Sequence, residues 1–140
     1  MARDINDFVH AVLVNFLLGN SDAHGKNFAL LYEQVAGPRL APLYDIVSTS
    51  AYPDVTERMA MAIGSSDDPA DVNLEAWRRL SDECGFGGGM AALVQRRAAT
   101  ILRFAELERS NAEKRGWHRP IIDRIVEICR QRAGRLIDAR

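Results

Sequence analysis

The stretch GNSDAHGKN, residues 19–27, sets a carboxylate (Asp22), an imidazole (His24), an ammonium (Lys26) and an amide (Asn27) close together. Its glycines and asparagines suit a turn. A turn by itself needs none of the charged groups. A further carboxylate, Asp45, stands in APLYDIVST, residues 41–49. Between them, FALLYE (28–33) and RLAPLY (39–44) read as two strands of a hairpin around QVAGP. A hairpin goes out and comes back, so the residues that bracket it end near each other. Asn27 should therefore lie beside Asp45. Two carboxylates and an amide oxygen in one small space make a hard-oxygen site, suited to Mg²⁺ holding phosphates.

The spacing D-x-x-x-x-N, then a hairpin, then a second Asp is that of a phosphoryl-transfer loop and its metal-binding Asp. In that chemistry Asp22 accepts the proton of the attacking hydroxyl, while Asn27 and Asp45 hold Mg²⁺ and, through it, ATP. Lys26 adds positive charge. His24 orients Asp22 or touches a phosphate. Each residue also has a plainer use: Asp22 in an Asx turn, Asp45 capping toward Ser48 and Thr49, His24 bonded to local backbone, Lys26 facing solvent. Asn15 sits in an apolar helix, where its amide needs partners, and is expected to tie the loop to that helix. Asn20 reads as structural, Tyr44 as packing, and Ser48 and Thr49 as braces for the backbone after Asp45.

The elements that must position these groups are mainly helical. Ile5, Phe8, Val9, Val12, Leu13, Phe16 and Leu17 recur at helical spacing over 4–18, with Asp4 or Asn6 as cap and Gly19 as stop. After Val9 this helix is apolar nearly all round and should be buried. Pro42 demotes the second strand to an edge. Residues 46–58 read as irregular, MAMAI (59–63) as a short strand or the last trace of one, and 65–71 as loop. A helix follows over 74–84, capped by Asn73, with Leu74, Trp77 and Leu80 inward. GFGGG (85–89) breaks the chain; it follows a helix, so a phosphate-loop reading fits poorly. Residues 90–113 return to helical spacing through Leu93, Val94, Ile101, Leu102, Ala105 and Leu107, ending at Gly116. The last helix starts near Pro120. Trp77 and Trp117 read as core or rim residues.

NFLLGNSDAHGKN (15–27) followed by APLYDIVST (41–49) closely resembles the HipA family of serine/threonine kinase toxins. MAMAIG (59–64) and the W-x-x-L segment at 77–80 are similar too, and the likeness extends from about Asp7 to Leu136. The resemblance implies Asp22 as catalytic base and Asn27 and Asp45 as Mg²⁺ ligands. It implies a kinase C-terminal lobe, a mainly α helical bundle with a short β-hairpin after the catalytic loop. Its substrate would be a protein, an aminoacyl-tRNA synthetase, and its partner a small helix-turn-helix antitoxin. No His-Arg precedes Asp22, and Ile46-Val47 follows Asp45, so ordinary protein-kinase regulation is not expected. The family's N-terminal portion, with its strand lysine and phosphate-covering loop, is not found in these residues. The expectation is that 1–140 is one domain, the C-terminal lobe of such a kinase, with the ATP-covering lobe supplied in cis or in trans.

Composition agrees with a folded domain: 47% hydrophobic and 26% charged residues. The longest apolar run, AVLVNFLLG, is too short to span a bilayer. MARDINDF lacks signal-peptide order. Cys84 and Cys129 form no C-x-x-C pair, and together these features suggest a reduced, cytoplasmic protein. Residues 1–95 hold 13 acidic and 6 basic residues, and 96–140 hold 6 and 12. The basic segment is expected to be the outer faces of two helices, with direct nucleic-acid binding weak or indirect. Two other functions remain open from the residues. One is a non-catalytic helical module that binds a partner. The other is a metal-dependent phosphoesterase built on the D-A-H pair at 22–24, which lacks further His ligands at useful spacing.

Overall fold

The computed structural model describes residues 2–33 and 37–138. Four helices, α1 (Ala2–Leu18), α2 (Leu74–Cys84), α3 (Met90–Lys114) and α4 (Pro120–Ile137), dominate the fold. Strands β1 (Leu30–Glu33) and β2 (Gly37–Leu40) pair antiparallel, with Leu30 opposite Leu40. Single 3₁₀ turns occupy Gly25–Asn27 and Thr49–Ala51.

The near-continuous apolar run of α1 makes it the central helix. Ala11, Leu13 and Leu17 have no exposed surface, and Val9 and Phe16 almost none. It packs against α3 and α4, and α2 packs on α3. The Phe16 ring meets the fully buried Trp77 edge-on at 6.3 Å, and Val94 of α3 and Leu136 of α4 join the same cluster. Among the described residues, no helix is long and apolar enough to cross a membrane.

Glycines stop three of the helices by one device. Gly19, Gly85 and Gly116 all have positive φ. After α1, the Gly19 N–H donates to Phe16 O at 3.2 Å and the Asn20 N–H to Asn15 O at 2.9 Å. The same pair of bonds recurs at Gly85–Phe86 and Gly116–Trp117, the Schellman ending in which a left-handed residue lets two orphan carbonyls be satisfied. At Gly64 (φ +53°) the demand is steric as well. A Cβ there would fall 2.0 Å from Ala76 O, because the turn lies directly on the α2 backbone.

Several expectations need correction. The strands are shorter than 28–33 and 39–44, and β2 ends before Pro42, which cannot donate to a ladder. Three residues of the expected turn, 34–36, lie outside the described residues. Neither Asp4 nor Asn6 caps α1, which begins at Ala2; Asp4 sits in its first turn, where a carboxylate offsets the helix dipole. MAMAI is not a strand. Its backbone laces onto loops instead: Met59 N–H donates to Asp67 O, Ala60 N–H to Ser21 O, and only Ile63 makes a bridge, to Ser66. Leu107 and Trp117 are exposed, at 49% and 64%. Asn73 does cap α2, accepting from the Glu75 and Ala76 N–H groups. The basic 96–140 segment spends part of its charge between helices, where Arg109 pairs with Asp123 and Arg130 with Glu106, and Arg130 also pairs with Glu127 within α4.

Candidate functional site

The loop after α1 is built from its first residue outward. Gly19 reverses the chain, and a side chain there would press on Ser50 and Ile128. The Schellman ending sets Asn20 over Asn15. The contact between these two positions is commonly apolar; here it is a buried amide–amide bond, Asn20 Nδ2 to Asn15 Oδ1 at 2.7 Å. Asn15 Nδ2 donates back to Ala11 O, so the buried amide is satisfied within the helix. Asn20 Nδ2 also donates to Asp45 O at 3.0 Å. Asn15 thus ties the loop to the helix as expected, and Asn20 extends the tie to Asp45, in the chain that leaves the hairpin.

Ser21 is the second anchor. Its N–H donates to Thr49 Oγ1 at 2.8 Å, and its hydroxyl meets Ser50 Oγ at 2.9 Å and Glu57 O at 3.1 Å. Thr49 Oγ1 in turn donates to Gly19 O. Thr49 braces the loop as anticipated. Ser48 does not, since its buried Oγ has no partner among the described residues. Ser21 and Ser50 were not singled out from sequence; serines in a polar loop give no signal of burial.

Asn27 and Asp45 do meet across the base of the hairpin. Asn27 Nδ2 donates to Asp45 Oδ2 at 2.7 Å, although 18 residues separate them. Asn27 Oδ1 accepts the His24 N–H at 2.9 Å, which closes the 3₁₀ turn. Beside this contact, Tyr44 OH donates to Lys26 O at 2.6 Å; Tyr44 is half-exposed and fastens the hairpin base instead of packing in the core. Asp45 is one of two non-glycine residues with positive φ among those described, at +57°. Such a conformation costs free energy in any residue with a side chain, and strain of this kind gathers at functional sites.

Asp22 is exposed, and no hydrogen bond or ion pair engages its carboxylate among the described residues. It opens onto a cleft lined by Ser21, Thr49, Thr56, Arg58 and Ala60. Among the described residues His24 makes no bond to Asp22. The Lys26 side chain is exposed. The structure therefore holds Asn27 and Asp45 together and presents Asp22 separately on the same loop.

Asn27 and Asp45 offer one carboxylate and one amide oxygen. That suits Mg²⁺, which commonly takes one or two protein carboxylates and fills its remaining positions with water and phosphate oxygens. As arranged, the Asn27 oxygen already accepts from His24, so its second lone pair is the one left for a cation. Among the described residues, no group of three His, Cys, Asp or Glu could hold a metal. A phosphoesterase built around Asp22 and His24 finds no ligand set there.

Three comparisons bear on this site. The chain is 42% identical over 101 residues to "Putative kinase Y4mE" of Sinorhizobium fredii, covering 72% of this chain and 23% of the relative. It is 39% identical over 66 residues to "Serine/threonine-protein kinase toxin HipA" of Shewanella oneidensis, covering 47% of this chain and 15% of the relative. A solved HipA of Shewanella oneidensis, in complex with HipB and operator DNA, matches 96% of this chain and 34% of that one, with TM-score 0.73 and 25% identity. The chain thus spans a quarter or less of these curated relatives. The model of the HipA-like C-terminal domain matches residues 1–113, and the chain belongs to that family, related to the HipA serine/threonine kinase toxin.

Proposed function

We propose that this chain supplies the base and the metal-holding groups of a phosphotransferase that moves the γ-phosphoryl of ATP to a serine or threonine hydroxyl of a protein. The observation that carries the reading is the 2.7 Å contact between Asn27 and Asp45, on the same loop as an unengaged Asp22. Asp22 takes the proton as the hydroxyl oxygen bonds to the γ-phosphorus; the bond to the β-phosphate oxygen breaks and ADP leaves. Asn27 and Asp45 are the residues that would hold Mg²⁺, which when bound offsets the charge of the phosphates. Lys26 adds positive charge from the exposed face of the loop, and His24 fixes the turn that carries Asn27. The names of the relatives support an antitoxin as partner. A helix-turn-helix antitoxin, an aminoacyl-tRNA synthetase substrate and a cytoplasmic setting complete the reading.

Catalysis of this kind is mostly positioning and electrostatics, so it needs a lobe that covers ATP, in cis or in trans. The 140-residue chain alone should turn over no ATP. Combined with the N-terminal portion of a relative, it should transfer phosphate, and Asp22→Asn should lower the rate by about 10²–10⁴-fold. Transfer that Asp22→Asn leaves intact contradicts the assignment of the base. Turnover by the chain alone contradicts the need for a second lobe.

A further inference from the structure

α4 sends into the interior a cation that the proposed reaction does not use. Arg132 is 6% exposed. Its Nη1 donates to Phe16 O at 2.7 Å and its Nη2 to Ser50 Oγ at 3.1 Å. The guanidinium carbon lies 5.3 Å from the centre of the Phe16 ring. These bonds engage two of five N–H donors. One turn on, Arg135 Nη1 donates to Pro69 O at 2.6 Å. Among the described residues, no carboxylate comes within ion-pair distance of either guanidinium. Burying a charge costs several kcal/mol, and Glu57, which favours the Arg132 charge from beyond ion-pair distance, offsets that only in part, so Arg132 has room for a closer anion.

The space beside it fits one. Ser50, Glu57, Gln131, Arg132 and Arg135 line a cavity of about 80 Å³. That is well below the ~300–1,000 Å³ of sites for organic ligands, which selects for a small head group. Arginine forks match planar and tetrahedral oxyanions through paired N–H donors. Gln131 adds a neutral donor, its second Nε2–H, while the Ser50 hydroxyl, which accepts from Arg132 and meets Ser21 Oγ, forms part of the wall. Glu57 is the one opposing charge, and it leaves the cavity with a surplus of one positive charge.

We propose that this cavity binds a tetrahedral oxyanion of the phosphate class, gripped by Arg132 and Arg135 with Ser50 and Gln131 alongside. The ligand is either free phosphate or the head group of a phosphorylated side chain. The site is separate from the Asn27–Asp45 contact and does not depend on the phosphotransfer reading. It is nonetheless wired to the loop. Ser50 Oγ, which Arg132 holds, meets Ser21 Oγ at 2.9 Å, next in sequence to Asp22.

The test is an NMR titration of the ¹⁵N-labelled chain with sodium phosphate, with sodium chloride at equal ionic strength as control. Phosphate should give saturable shifts at Ser50, Gln131 and the Arg132 Nε–H, with a millimolar dissociation constant. Arg132→Gln removes a buried group and can unfold the chain, so the deciding variants are on the exposed Arg135 and Glu57. Arg135→Gln should weaken binding about tenfold or more, and Glu57→Gln should tighten it a few-fold. Phosphate shifts that chloride reproduces, or an Arg135→Gln chain that binds as the parent does, overturn the proposal. A second arm compares a phosphoseryl peptide with its unphosphorylated form. Tighter binding of the phosphopeptide than of phosphate assigns the site to a side chain; the reverse assigns it to the free ion.

Discussion

The loop region (19–27 with 45–51) and the α3–α4 pair are held by different forces. In the loop region, the ties are short polar bonds to fixed atoms: Asn20 to Asn15 and to Asp45 O, Ser21 to Thr49, Ser50 and Glu57 O, Asn27 to Asp45. In the helical pair, buried Val94, Ala98, Cys129, Ala133 and Leu136 do most of the holding, and the polar links include half-exposed ion pairs at the rim and one bond from Gln95 Nε2 to Leu136 O. Apolar burial is strong and tolerant of direction. Hydrogen bonds contribute less but fix positions. The loop, whose side chains are held at set places, uses the second; the helical pair, which keeps the domain folded, uses the first.

That contrast can be broken or sharpened by substitution. The largest loss should come from the apolar side. Trp77→Ala removes the largest fully buried side chain and should cost about 3–5 kcal/mol, read from urea unfolding. Asn20→Ala comes next. It leaves Asn15 Oδ1 and Asp45 O without their donor and should cost about 1–3 kcal/mol. Its signature should be local: amide shifts and broadening confined to 19–27 and 45–51, with Val94 and Leu136 methyl signals unmoved. Spread of the change into the core would erase the distinction between the two regions. Arg130→Ala cuts the α3–α4 pairs with Glu106 and should cost at most ~1 kcal/mol, since both partners are half-exposed. Asp22→Asn should be the quietest, within about 0.5 kcal/mol of the parent, because no bond among the described residues engages that carboxylate. A large loss there would make Asp22 a structural residue.

The two regions were also legible in sequence to different degrees. The helices show in their 3.6-residue spacing, and the stop glycines show where they end. The meeting of Asn27 and Asp45 follows from one local fact, that both bracket a hairpin. What escaped notice depends on contacts between distant parts of the chain. Arg132 reaches Phe16 O across 116 positions, and an arginine in a basic helix reads as a solvated one. Ser21 meets residues 28, 29 and 36 positions away. The positive φ of Asp45 leaves no trace in residue type, because Asp is common in ordinary turns as well. Strand ends slipped for the opposite reason: Tyr44 suits a strand by type, but Pro42 and the Tyr44–Lys26 tie take 41–44 out of the ladder.

The central claim, that Asn27 and Asp45 form a cation site serving a nucleotide's phosphates, is most directly tested by paramagnetic broadening. Mn²⁺ with ATP, titrated into the ¹⁵N-labelled chain, should broaden the amides around Asn27 and Asp45 first, and Asp45→Asn should abolish that focus while the fold stays intact. Broadening centred elsewhere, or a focus that survives Asp45→Asn, would contradict the account.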